Sequence, residues 1–95
     1  MVKIIMGLKG SGKTKQLIEL VRACVDQRHG DVVVIEKGQK LIHELPHAAR
    51  LIESTDYGFA NYPDYDFLKG FISGLYAANY DITHIFIDSL LRIVG

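Results

Sequence analysis

Val2-Lys3-Ile4-Ile5-Met6 runs straight into Gly7-Leu8-Lys9-Gly10-Ser11-Gly12-Lys13-Thr14, and most of the fold follows from this junction. The first five residues are mostly apolar and short, which suits a strand buried on both faces. The glycine-rich stretch then breaks any regular pattern. From Lys13 a helical period takes over, with Leu17, Leu20, Val21, Cys24 and Arg28 at three- and four-residue steps and Ile18 and Val25 widening the stripe. Arg28 and His29 would fill the last turn, and Gly30 would supply a left-handed cap. Asp31 opens Val32-Val33-Val34-Ile35, a second buried strand, expected parallel to the first because a helix separates them.

The residues of the junction are those that a polyphosphate site requires. Gly7 and Gly12 are separated by four residues and followed by Lys13 and Thr14. Gripping a polyphosphate takes several backbone N–H groups aimed into one concavity, and glycine allows the chain to wrap that tightly. The helix beyond the loop adds unpaired amides and the positive end of its dipole. In such a loop Gly7, Gly10, Ser11 and Gly12 line the anion, Lys13 reaches the β- and γ-phosphates, and the Thr14 hydroxyl binds Mg²⁺. A plain glycine turn with a surface lysine is the bland alternative, and it leaves the flanking strand and amphipathic helix unexplained.

Further along, Lys40 to Leu45 suggests a short helix ended by Pro46, and Ala49 to Ile52 a short third strand. The segment 54–64 contains Gly58, Asn61 and Pro63 and reads as a loop. A second helix is expected from about Tyr65 to Asn79, capped by Asp64 or Asp66, with Phe67, Leu68, Phe71, Ile72, Leu75 and Ala78 at helical spacing. Gly70 and Gly74 each cost ~1 kcal/mol inside a helix, which suggests a face pressed against the sheet. His84-Ile85-Phe86-Ile87 forms the last strand and ends at Asp88. A carboxylate there lies at the carboxyl edge of the sheet, where it can hold Mg²⁺ through a water or simply cap the next segment.

Together these motifs resemble the P-loop NTPases, with Walker A at residues 7–14 and Walker B at residues 85–88. Asp88-Ser89-Leu90 is similar to the Walker B of the RecA and KaiC group, and the chain also resembles small bacterial ATP-binding proteins, some of them labelled twitching-motility proteins. The resemblance implies a three-layer α/β/α P-loop fold with a mostly parallel sheet, ATP and Mg²⁺ as ligands, and hydrolysis. In that group the catalytic glutamate ends the second strand, so Glu36 is implied as the residue that polarises the attacking water, with Lys13 neutralising phosphate charge; otherwise Glu36 ends its strand in solvent. Two alternatives to an ATPase stand beside it: a nucleotide-gated interaction module without turnover, and a small-molecule kinase. By the same resemblance, residues 1–95 form the N-terminal part of a single nucleotide-binding domain cut after Walker B. A RecA-like layout would insert a later strand between the first strand and the Walker B strand, whereas kinases and GTPases pair the two directly. Either a missing C-terminal half or a second copy would then cover the open edge of the first strand.

Composition narrows the setting. The chain has 95 residues, 11 Lys and Arg against 11 Asp and Glu, and a formal net charge of zero, so it gives no strong nucleic-acid signal. One cysteine, Cys24, excludes an internal disulfide and points to a reducing, cytoplasmic setting. No apolar run approaches the ~20 residues of a membrane span. Eight of the nine aromatic residues fall between Tyr57 and Tyr80. Phe67 and Phe71 read as core, whereas Tyr57, Phe59, Tyr62 and Tyr65 either pack the loop against the body or stack on a base or a partner. The four histidines show no zinc-type spacing.

Overall fold

Apolar runs bounded by polar residues become strands, and the two amphipathic stretches become the helices that cover them. The computed structural model describes residues 2–6, 13–27, 30–38, 43–88 and 93–94. In chain order it contains β1 (Lys3–Met6), α1 (Lys13–Gln27), β2 (Asp31–Glu36), β3 (Ala49–Glu53), a 3₁₀ turn (Ser54–Tyr57), α2 (Tyr65–Ala78) and β4 (Ile82–Ile87). The four strands form one all-parallel sheet in the order β1-β4-β2-β3.

Strand alternation sorts the core onto two faces. Val32, Val34, Ala49 and Phe86 pack against Leu17, Ile18 and Val21 of α1. On the opposite face Val33, Ile35, Ile52, Ile85 and Ile87 meet Leu68 of α2, together with Phe59, Ile93 and Val94. Helix, sheet and helix therefore stack as three layers. The α2 N-terminus is capped by Asp64, whose Oδ1 accepts the Phe67 N–H at 2.7 Å. At its other end Asn79 Nδ2 donates to Asp31 Oδ2 at 2.7 Å, tying the helix exit to the start of β2.

The loop aromatics sit at different depths. Phe59 is 2% exposed, edge-on to Phe67 at 4.8 Å and to Phe71 at 5.2 Å. Tyr62 stacks on Phe67 at 5.5 Å, and Tyr57 lies 5.8 Å from Phe71. Tyr65 is exposed. Phe59 is thus part of the core, whereas Tyr57 and Tyr62 touch the α2 phenylalanines from the surface, 45% and 59% exposed.

Several expectations are corrected. β1 is not buried on both faces: Ile5 packs against the α1 cluster, whereas Ile4 and Met6, on the other face, are 45% and 49% exposed. Leu20 turns away from the sheet, and the buried stripe of α1 is Leu17, Ile18 and Val21. Gly30 does not have a positive φ, unlike Gly38 and Gly58. Its requirement is steric, since a Cβ there would stand 2.4 Å from Thr83 Cγ2 and 2.5 Å from the Asp81 carbonyl oxygen. Gly70 and Gly74 face open space, with nothing within 4 Å of where a Cβ would stand, so they do not mark a close helix–sheet approach. Residues 43–45 form a turn and bend where a helix was expected, and the segment 54–57 is a 3₁₀ turn where a plain loop was expected. The expectations for Arg28, His29 and residues 39–42 lie outside the described residues.

Candidate functional site

Parallel strands deliver their carboxyl ends to one edge of the sheet, and here three of those ends are aligned. Met6 is in register with Ile87, and Ile87 is in register with Ile35. The next residues in sequence are Gly7, Asp88 and Glu36. The glycine-rich stretch is therefore joined to the sheet beside the strand that ends in Asp88, with no strand between them. Among the described residues β1 and β4 pair directly, without the intervening strand that the RecA-like expectation would place there.

Gly7, Gly10, Ser11 and Gly12 themselves lie outside the described residues, as does Ser89. Residues 7–12 connect Met6 to Lys13, where α1 begins. As a crossover between parallel strands, α1 returns along the sheet, so Lys13 and Thr14 occupy the helix end nearest the carboxyl edge. An amide-rich, positively polarised helix end then faces the edge that carries Asp88 and Glu36.

Asp88 is partly buried, and its backbone N–H donates to the Ile35 carbonyl at 2.9 Å. Glu36 is 1% exposed. Its burial overturns the reading in which it ends β2 in solvent. Two carboxylates thus stand at adjacent strand exits, one of them withdrawn from bulk water.

A third carboxylate, Glu53, does not stand out in the sequence. It is the register partner of Glu36 on β3. Its Oε2 accepts the Thr55 N–H at 2.8 Å and also the Thr55 hydroxyl. Its Oε1 accepts the N–H of Gly38, across in the turn after β2. Burial pushes this carboxyl up, but hydrogen bonds from the Thr55 hydroxyl and from the Gly38, Thr55 and Asp56 N–H groups outweigh it and hold the group below its ordinary value. The available signal is Glu53-Ser54-Thr55, an acceptor placed two residues before a donor pair.

Among the described residues no group of three His, Cys, Asp or Glu side chains is arranged to hold a metal by itself. A groove of about 910 Å³ runs along β3, lined by Arg50, Tyr57, Phe71 and Leu75 among others, with Glu53 at its margin. No described helix is long and apolar enough to cross a membrane. Comparison with protein-family models, curated proteins and solved structures found no match.

Proposed function

We propose that the chain binds ATP with Mg²⁺ across the carboxyl ends of β1, β4 and β2 and hydrolyses the γ-phosphate. The observation that carries this reading is the register of Met6 with Ile87, the residues that directly precede Gly7 and Asp88 in the chain. In this reading the amides of residues 7–12 and the first turn of α1 cradle the triphosphate. Lys13 neutralises charge on the β- and γ-oxygens, and its attraction strengthens as that charge develops.

The donor set suits magnesium. The Thr14 hydroxyl and the Asp88 carboxylate are hard oxygen donors, and a nucleotide-borne Mg²⁺ takes only one or two of these from protein. When bound, the ion supplies charge neutralisation across the β- and γ-phosphates. Glu36 accepts a hydrogen bond from the attacking water and orients it in line with the phosphorus.

Calorimetric titration with Mg·ATP tests binding. Lys13→Ala should weaken it at least tenfold, about 1.4 kcal/mol. Equal heats from wild type and variant would sink the proposal. A second reading, transfer to the hydroxyl of a small molecule, is favoured by the direct β1–β4 pairing. Product analysis separates the two. Free phosphate formed in the absence of any acceptor marks hydrolysis, and phosphate release that waits for an added acceptor marks transfer.

A further inference from the structure

We infer that Glu53 is a positioning residue, which fixes the exit of β2 so that Glu36 is held for its work on water; the inference rests on the proposed role of Glu36 in orienting that water. Glu36 and Glu53 sit side by side at the ends of β2 and β3. Two residues beyond Glu36 the chain turns at Gly38, whose φ is +94°. The Glu53 carboxylate takes the Gly38 N–H on one oxygen and the Thr55 donors on the other. Its span therefore joins two separate connections, the one leaving β2 and the one leaving β3.

Capping Thr55 would need only one of those oxygens. The second reaches back to the segment that carries Glu36. On the opposite side of β2, the Asp88 N–H holds the Ile35 carbonyl. Glu36 is thus fixed between a ladder bond before it and a carboxylate clasp after it. Immobilising a backbone residue costs about 1–2 kcal/mol of conformational entropy. Meeting that cost during folding leaves less to be met at the moment of reaction. Glutamate suits the task because both oxygens are pure acceptors. Glutamine would keep one acceptor oxygen, and alanine none.

Single-turnover ATP hydrolysis with Mg²⁺, read beside calorimetric ATP affinity, tests this in wild type, Glu36→Gln, Glu53→Gln, Glu53→Ala and the Glu36→Gln/Glu53→Ala double variant. Glu53→Ala should slow turnover about 10- to 100-fold, with ATP affinity held within about twofold. Glu53→Gln should fall between it and wild type. The double variant should be no slower than Glu36→Gln alone, because both changes disable one device. Turnover that Glu36→Gln abolishes and Glu53→Ala leaves intact overturns this inference alone. So do additive losses in the double variant, or a loss of ATP affinity that accompanies the loss of rate. Turnover indifferent to Glu36→Gln, or none in wild type, overturns the assignment of Glu36 and this inference with it. If circular dichroism shows Glu53→Ala unfolded, Glu53→Gln decides: slower turnover at equal affinity supports the clasp, and equal turnover overturns it.

Discussion

The backbone N–H of Asp88 donates to the carbonyl oxygen of Ile35 at 2.9 Å, one residue past the pairing of Ile87 with Ile35. The β4–β2 ladder therefore extends into the residue whose carboxylate is the candidate magnesium partner. Because that bond uses main-chain atoms, the Asp88 side chain can be changed without cutting it. Asp88→Asn keeps that main-chain bond and removes the carboxylate charge. Its affinity for ATP should fall about 10- to 100-fold with Mg²⁺ present and change little with EDTA. Paired titrations with and without the metal check this, and an equal loss in both conditions would remove Asp88 from the metal site.

Glu53 gives the fold an acid-sensitive joint. Its folded-state carboxyl lies below the ordinary 4.5. A group depressed on folding adds stability that is complete above its unfolded value and is lost as pH falls through its folded one. Urea-unfolding midpoints measured from pH 7 down to pH 3 should therefore hold steady to about 4.5 as far as this group is concerned, then decline. Glu53→Gln should start lower at pH 7 and show a shallower acid decline. An unchanged slope in the variant would mean that another carboxylate governs that limb.

Glycines in this chain differ sharply in their surroundings, and alanine substitution should separate them by sign. Gly30 abuts Thr83 and the Asp81 carbonyl, which itself accepts the Asp31 N–H at 2.8 Å. Gly30→Ala should cost about 1–3 kcal/mol, as overpacking does. Adding Thr83→Ala should recover only part of it, because the carbonyl remains. Gly70 and Gly74 lie in the interior of α2 against open space. Alanine at each should stabilise by about 0.5–1 kcal/mol through helix propensity. Denaturant unfolding of the three single variants checks the signs, and a stabilised Gly30→Ala would refute the packing described at that position.

Features decided by neighbouring residues are legible in this chain. Val32 to Ile35 is unbroken and apolar, and Asp64 stands directly before a periodic apolar stretch, so β2 and the capped start of α2 can be read directly. Strand order cannot, because it depends on where β4 inserts after a long excursion through β3 and α2. That single fact controls which strand β1 pairs with and the alignment of Met6 with Ile87. Gly30 escapes a local reading for a related reason: its constraint comes from Thr83, far along the chain, whereas a helix cap is a local device. Asp88 announces itself by ending an apolar run. The Glu53 clasp does not, since its partners Gly38 and Thr55 lie in two different connections.

Ser54 offers a sharper test of the packing beside that clasp. Its side chain is fully buried, yet its hydroxyl has no hydrogen-bond partner among the described residues. A buried polar group left unsatisfied costs about 1–3 kcal/mol. The adjacent Glu53 carboxylate engages Thr55 and Gly38 and leaves this hydroxyl aside. Ser54→Ala removes the oxygen and retains the Cβ, so the cavity it opens is small. The variant should gain about 1 kcal/mol, which for a domain of this size raises the melting midpoint by roughly 4–8 °C. Ser54→Thr keeps the hydroxyl and adds a methyl to a closed site, so it should melt lower than wild type. A lower midpoint for Ser54→Ala would mean that the hydroxyl is bonded in solution, by a trapped water or by a rotated neighbour, and that the 3₁₀ turn is held by more than the Glu53 cap.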